Sequence, residues 1–340
     1  MIIISKLQKN LLKWAFVVAL VAAIIYTFRD TAGPILEQLK KTTPVVLIGI
    51  CALTIIYHLL EGGITTLLAR EYNPAFPYRK GVGNAFFCSF YRVATLGSGA
   101  GVAGVLYLGE NGVEHSKGFG LYMLQYAFHK ISIAIFAVVF FLANWNYMYK
   151  HFGSYMWLLM VGFLVTLVIT LFLILFCCST AFHKVLFKLL DFINGKLKGR
   201  FDVQIASLKG ECNMLEVASK HILKKKSLVI EVIVISIIRS CFWYGIPYLI
   251  FMGSNEVTLM QTMAVTSLSI MLAAVLPAPG GIGSTELVFT SLFSSIVGTG
   301  LAGSAALLYR FGTFIFPFML GALVVLARRV QINREARGKE

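Results

Sequence analysis

Charged residues are scarce in this chain, and acidic residues are the scarcest of them. Only 13% of its 340 residues are Asp, Glu, Lys or Arg, whereas 58% are hydrophobic. Repeated apolar runs reach the ~20 residues that a helix needs to cross a hydrocarbon core. The short alternating strands of a membrane barrel are missing, and helices satisfy every backbone group within one segment in lipid. The sequence therefore predicts an all-α polytopic membrane protein.

Several motifs of soluble chemistry are also missing. None of the six cysteines has C-x-x-C spacing, which argues against disulfide or metal chemistry and favours packing roles. No phosphate-binding P-loop is present, so ATP-driven pumping by this chain alone is not expected. We expect no cofactor. The N-terminal basic and apolar stretch lacks a small-x-small cleavage site, so we interpret it as a retained span.

The apolar segments differ in length and continuity. Two of them, 83–108 and 258–297, are interrupted by "GSGAG" and "LPAPGGIGSTE". The pieces of the first are too short to cross a ~30 Å core at ~1.5 Å per helical residue. Full-length spans are predicted at 11–28, 44–69, 118–143, 154–178, 228–252 and 301–327.

The formal net charge of +15 raises the question of nucleic acid, but its distribution indicates a membrane. If 83–108 turns back as a hairpin, 22 of the 30 Lys and Arg residues face the cytoplasm and four face the opposite side, as the positive-inside rule requires. We therefore predict six spans and two broken re-entrant helical hairpins, or eight helices if each hairpin counts as a span. Both termini would be cytoplasmic.

This topology is an inverted repeat within one transmembrane domain, 1–340. Its halves are 1–143 and 154–327, and their hairpins enter from opposite faces, as in transporters with a central site. The basic connector 179–226 is predicted to be amphipathic and cytoplasmic. Its helix either lies in the headgroup layer or packs on the protein's own cytoplasmic surface.

The second hairpin carries the sharper chemical signal. Pro277 and Pro279 would end the incoming half-helix, glycines would form the turn, and Ser284 or Thr285 would cap the outgoing half-helix. The free N–H groups of that half-helix form a seat for a phosphate oxygen. Glu286 lies in its first turn, and Arg310 is the expected partner. The alternative is that the two form a buried ion pair without substrate contact.

Other charges within spans are functional candidates because they are costly in lipid. Arg92 precedes the first hairpin and could present its guanidinium to a cavity, whereas Lys130, Glu231 and Arg239 are interpreted as structural, near an interface. His58 and Glu61 have a metal-compatible spacing, but a polar helix contact is favoured. The candidate substrate-binding residues are Arg92, Ser98, Gly99, Gly101, Pro279, Gly280, Gly281, Gly283, Ser284, Thr285, Glu286 and Arg310.

The stretch "LPAPGGIGSTELVFTSLF", followed by "AALLYRFGTFIFPFMLGALVVL", resembles the flippase-like family named for the transmembrane region of lysylphosphatidylglycerol synthase. The residues that fit its pattern include Gly283, Glu286, Arg310, Pro317 and Gly321. "TLGSGAGVAGVLYLGENGVEHSKG" is similar to the family's first hairpin, with Leu96 in place of its proline. The resemblance implies membership of a family that includes the lipid-translocating membrane half of the bifunctional multiple peptide resistance factor. No acyltransferase domain follows the last span, so lysyl transfer is not expected.

We therefore predict a bacterial plasma-membrane flippase that moves the headgroup of a phospholipid, glycolipid or polyprenyl phosphate. Its partners would be membrane lipids with phosphate-bearing headgroups and not nucleic acid. A homo-oligomer or a partner enzyme that synthesises lipids is also considered. Two alternatives remain: an integral-membrane enzyme acting on a lipid headgroup with Glu286 or His58 as acid or base, and a transporter-like partner subunit of a lipid-modifying system.

Overall fold

A computed structural model of the protein describes residue 18 and residues 32–196, 200–254, 256–276, 278 and 281–337. These residues form helices joined by short turns, with no strand among them, which confirms the all-α class. The helices up to the connector are α1 Ala32–Lys41, α2 Pro44–Ala69, α3 Tyr78–Ala94, α4 Ala100–Glu110, α5 His115–Ala143, α6 Trp145–Phe152 and α7 Met156–Cys178. The rest are α8 Thr180–Lys196, α9 Asp202–Leu223, α10 Lys226–Tyr244, α11 Ile246–Phe251, α12 Leu259–Ala273, α13 Ser284–Val297, α14 Thr299–Arg310 and α15 Phe316–Arg337.

Five segments of the described chain are long and apolar enough to cross a membrane, which confirms a polytopic membrane protein. They coincide with five of the six predicted spans. The sixth, 11–28, lies outside the described residues except for position 18. The five segments are Pro44–Ala69, His115–Ala143, Leu159–Cys177, Lys226–Phe251 and Thr299–Gln331.

The first predicted break separates α3 from α4. Leu96 adopts the left-handed region with φ of 52°, and Gly97 follows with φ of 97°. A non-glycine residue at positive φ is unusual, and here the flanking hydrogen bond from the Gly97 N–H to the Arg92 carbonyl, 2.7 Å, closes the turn around it. Thr95 Oγ1 accepts a 2.6 Å hydrogen bond from the Gly99 N–H. This turn leaves α3 at 17 residues and α4 at 11.

The second predicted break separates α12 from α13. Pro277, Pro279 and Gly280 lie outside the described residues, whereas Gly281 and Gly283 have φ of 69° and 79°. Both apolar helices are short, at 15 and 14 residues. The re-entrant placement of these breaks and the inverted repeat stay predictions.

Two buried apolar clusters tie the halves of the chain together. One joins α2 to α11, α12, α13 and α14 and contains Ile50, Leu268 and Phe289. The other joins α2 to α5 and α10 and contains Leu68, Leu121 and Val232. Helix α2 therefore packs on elements from both halves, and the space between α2, α5 and α10 is where the candidate site lies.

The connector consists of α8 and α9, and α9 packs inward. Leu215 of α9 is buried with Ala127 of α5 and Cys177 of α7. Glu216 accepts hydrogen bonds from Lys220 at 2.6 Å and from Thr180 at 2.5 Å. These bonds, that from Lys220 above all, lower the pKa of Glu216 to about 2, so the carboxylate stays charged and braces α8 against α9. The apolar side chains Val185, Leu189 and Phe192 of α8 are exposed. An interfacial position for α8 stays a prediction.

Helices α2 and α3 cross with little space between their backbones. A Cβ added at Gly62 would lie 2.5 Å from the Val82 Cα, and one added at Gly81 would lie 2.3 Å from the Gly62 carbonyl oxygen. Neither neighbour is a flexible side chain that could move aside. The crossing therefore requires glycine at both positions.

We expect Gly62→Ala to lower the free energy of unfolding by about 1–3 kcal/mol, the usual cost of overpacking. Gly63→Ala is the matched control, since its Cβ would meet only the Tyr78 ring at 3.8 Å. Denaturant unfolding in lipid–detergent micelles measures both. Equal stabilities of the two variants would show that the helix crossing can relax.

The last long segment is interrupted by a π-bulge at Phe311–Ile315. Pro317 follows it, and because proline has no N–H the regular helical bonding pattern cannot run through this point. The Gly312 carbonyl accepts a 2.9 Å hydrogen bond from Thr54 Oγ1 of α2. The bulge therefore carries a contact between the last span and α2.

The topology can be tested with single cysteines introduced on a background lacking the native cysteines. We expect labelling at Asn111 and Ser207 from the cytoplasmic side and at Asn146 from outside, because of the asymmetric distribution of Lys and Arg. A membrane-impermeant maleimide applied to inside-out and right-side-out vesicles measures this. Outside labelling at 111 would exclude the first hairpin and the inverted repeat.

Candidate functional site

A cavity of about 750 Å³ lies between α2, the turn from α3 to α4, α5 and α10. Its charged lining residues are Glu61, Arg92, Lys130 and Arg239. Aromatic rings, including Tyr57, Tyr122 and Tyr126, supply much of the remaining wall, and Gln125, His115 and His129 add polar groups. The cavity is thus amphipathic, with three cations and one carboxylate.

Arg92 is the cation of this cavity that is open to solvent. It is exposed at the end of α3, and none of the described residues forms an ion pair or a hydrogen bond with its guanidinium. A guanidinium presents five donors in a planar fork that matches phosphate oxygens. The prediction that Arg92 presents its guanidinium to a cavity therefore agrees with the lining of this one.

The N-terminus of α4 opens onto the same space. Gly97, Ser98, Ala100 and Gly101 line the cavity, whereas Gly99 does not, and its N–H donates to Thr95 Oγ1. The first N–H groups of a helix lack intrahelical partners and carry partial positive charge. A Cβ at Gly101 would approach the Tyr122 ring to 3.1 Å, so glycine lets this ring pack closely against the start of the helix.

Glu61 and Arg239 form an ion pair across the back of the cavity, in which Arg239 is buried and the Glu61 side chain is 25% exposed. Arg239 is 1% exposed, its guanidinium contacts His129 and lies 5.0 Å from the centre of the Tyr57 ring. Gln125 Nε2 donates a 2.8 Å hydrogen bond to Glu61. The expectation that Arg239 reaches an interface is therefore wrong: it is enclosed between α2, α5 and α10, and its charge is balanced there.

Lys130 also lines the cavity, with its ammonium 5.4 Å from the centre of the Tyr126 ring. Among the described residues it forms no ion pair. The sequence did not predict this position in a cavity lining, and the interpretation of Lys130 as a structural residue near an interface stays a prediction. Glu231, by contrast, is exposed and does not line the cavity.

His58 makes the polar helix contact that the sequence favours. Its Nδ1 lies 2.8 Å from the Thr54 carbonyl and must donate there, so Nε2 of the neutral ring can accept from Ser89 Oγ at 3.0 Å. The ring stacks on Phe86. No group of three or more potential ligands that could hold a metal occurs among the described residues.

At the second break the predicted partners Glu286 and Arg310 do meet. Arg310 Nε lies 3.2 Å from Glu286 Oε1, and both side chains are largely buried. The Arg310 guanidinium also lies 3.8 Å from the centre of the Phe314 ring. Neither residue belongs to the lining of the 750 Å³ cavity.

The cap of α13 differs from the prediction. Gly283 is the N-cap, and its N–H donates a 3.0 Å hydrogen bond to Glu286 Oε2. Ser284 is already the first helical residue, its Oγ is buried without a hydrogen bond, and neither it nor Thr285 acts as the cap. Because a carboxylate of the chain occupies this helix end, an external anion would have to displace it.

A family model for the lysylphosphatidylglycerol synthase TM region matches residues 11–321. The chain belongs to this family. The UPF0104 membrane protein PH1989 of Pyrococcus horikoshii is 38% identical over 84 residues, which are 24% of this chain and 25% of that protein. No solved structure matches the chain. Membership indicates a role related to membrane lipids, and the matched residues of this chain include those of both the cavity and the Glu286–Arg310 pair.

Sequence reasoning missed the pairing of Glu61 with Arg239, although a signal for it was present. The two residues carry opposite charges in the second long span of each predicted half, and intramembrane charges generally pair with one another. With Glu61 assigned to Arg239 and Glu286 assigned to Arg310, Arg92 and Lys130 would have been the intramembrane cations left without an assigned carboxylate.

For the second break we expect Arg310→Lys to preserve expression and thermal stability but to slow lipid transport strongly, by about tenfold. Lysine keeps the charge for Glu286 but loses the planar fork and its stacking on Phe314. Transport in liposomes and a thermal melt of the same preparation measure the two effects. Unchanged transport in both Arg310→Lys and Glu286→Gln would assign the pair a purely structural role.

Proposed function

We propose that this protein carries the phosphate-bearing headgroup of a membrane lipid across the bilayer through the 750 Å³ cavity. The observation that carries the proposal is the Arg92 guanidinium, which has no ion-pair partner among the described residues, beside the N-terminus of α4 in the cavity lining. Together they supply a cation and backbone N–H donors to one anion, an arrangement suited to a phosphate.

The outer wall of the cavity supports a lipid in particular. Val102, Leu106 and Tyr126 line it and are 65%, 51% and 41% exposed. Apolar side chains at the mouth would let acyl or prenyl tails remain in the hydrocarbon while the headgroup enters. A cavity of several hundred Å³ suits a ligand of headgroup size.

In this proposal the second break has a supporting role. Glu286 already occupies the N-terminus of α13, so in this proposal the phosphate binds at the N-terminus of α4, at the first break. In this proposal the Glu286–Arg310 pair holds α13 against α14, and it can exchange partners when an anionic oxygen approaches.

Reconstitution into liposomes with several tail-labelled lipids tests the proposal. Phosphate-bearing lipids should cross faster than in protein-free liposomes, and an Arg92→Gln preparation should lose most of that acceleration. Mass spectrometry of the recovered lipid decides between transport and chemistry: a changed headgroup would favour the enzyme alternative. Equal crossing with and without protein would contradict the proposal.

A further inference from the structure

Positive groups outnumber negative groups in the cavity lining, and this excess affects which lipid headgroups the cavity can accept. Arg92, Lys130 and Arg239 face one carboxylate, Glu61, so the lining carries a net charge of +2 with its histidines neutral. The partial positive charge at the start of α4 adds to it. Other carboxylates on the neighbouring helix ends are engaged outside the cavity, Glu110 with Arg328 and Glu114 with Lys117.

The carboxylate and two of the aromatic rings in the cavity lining already face cations of the protein. Glu61 is held by Arg239 and Gln125. Aromatic faces attract ammonium groups, but the Tyr57 face lies against Arg239 and the Tyr126 face lies against Lys130. A cationic headgroup would therefore meet two cations that have no carboxylate partner among the described residues, and a carboxylate that is already paired. The rings of Phe119 and Tyr122 offer it only uncharged faces.

We infer that the cavity selects lipid headgroups with net negative charge and rejects cationic, aminoacylated headgroups, with Lys130 as the residue that sets this selectivity. The inference rests on the proposed transport function. In it, Arg92 and α4 hold the phosphate, and Lys130 faces the part of the headgroup beyond it. Phosphatidylglycerol, with one negative charge, fits this lining. Lysyl-phosphatidylglycerol, whose two ammonium groups outweigh its phosphate, does not.

Lys130 can be replaced to test the charge selectivity with little expected effect on the fold. It forms no ion pair among the described residues, so its replacement leaves no carboxylate unpaired. Lys117 lies on the same helix, is exposed, and pairs with Glu114 at the surface. Surface pairs of this kind contribute little, so Lys117→Glu is a control with the same change of charge.

The experiment uses the full chain in phosphatidylcholine liposomes with tail-labelled phosphatidylglycerol or tail-labelled lysyl-phosphatidylglycerol, and dithionite quenching reports crossing. The wild type should move phosphatidylglycerol at least about tenfold faster than the lysyl lipid, because like charges in a poorly hydrated cavity repel. Lys130→Glu should reduce this ratio at least fivefold, Lys130→Gln should reduce it less, and Lys117→Glu should leave it unchanged.

The outcomes separate this inference from the proposed function. Equal acceleration of both lipids, or a preference for the lysyl lipid, would overturn the charge selectivity while transport stands. No acceleration of either lipid by a folded preparation would overturn both. A wild-type preference that Lys130→Glu and Lys130→Gln leave unchanged would overturn the assignment to Lys130.

Discussion

Replacing Arg92 with glutamine should slow the crossing of phosphate-bearing lipids by roughly 10- to 100-fold. A hydrogen bond to a charged group contributes about 1.5–3 kcal/mol, and Arg92 is the solvent-open cation beside the N-terminus of α4. Stability should change little, because the exposed guanidinium forms no ion pair among the described residues. Initial rates of dithionite-protected signal in liposomes measure the effect, and a thermal melt checks the fold.

The matched control for this change is Arg79→Gln, which removes the same group from an exposed position on the same helix, outside the cavity lining. We expect wild-type rates from it. Arg92→Lys should lie between the two, since it keeps the charge but not the fork. If Arg92→Gln and Arg79→Gln transported equally well, the anion seat would not be at the first break.

Replacing Arg239 with methionine should lower the free energy of unfolding by about 3–5 kcal/mol. The change leaves Glu61 as an uncompensated charge at the back of the cavity, and breaking a buried pair from one side has this cost. The double variant Glu61→Gln with Arg239→Met should recover much of the loss, because neither charge is then stranded. Denaturant unfolding in lipid–detergent micelles measures all three proteins.

Arg329→Met controls for the loss of an arginine from an exposed site. It should unfold like the wild type. A double variant as unstable as Arg239→Met alone would mean that packing of the Arg239 side chain against Tyr57, and not charge balance, stabilises this region.

The spans were predictable because the length of an apolar run and the dimensions of a bilayer define them almost alone. The breaks were predictable for a related reason: Gly97 and the pair Gly281 and Gly283 do adopt positive φ where the sequence interrupts its apolar runs. Leu96 at φ of 52° was not predictable, since leucine carries no local preference for that conformation. It depends on the surrounding turn.

The candidate site was predicted only in part. The partnership of Glu286 with Arg310 follows from two charges in adjacent apolar segments, but whether either faces a cavity depends on how four or more helices pack. The pairing of Glu61 with Arg239 leaves Arg239 unavailable to an external anion. Their opposite charges within spans were a signal that each needs a partner, but they do not specify which charge that partner is. The cap of α13 depends on the backbone of Gly283, which places Ser284 already inside the helix.

The π-bulge at Phe311–Ile315 sets the rotational phase of the last span. In an unbroken α-helix, at about 100° per residue, positions 310 and 321 would point in nearly the same direction. Instead Arg310 meets Glu286 of α13, while Gly321 meets the backbone of Phe86 in α3. The extra residue of the bulge rotates the two ends of the span relative to each other. The start of the span can therefore contact the second broken segment while its end contacts the first.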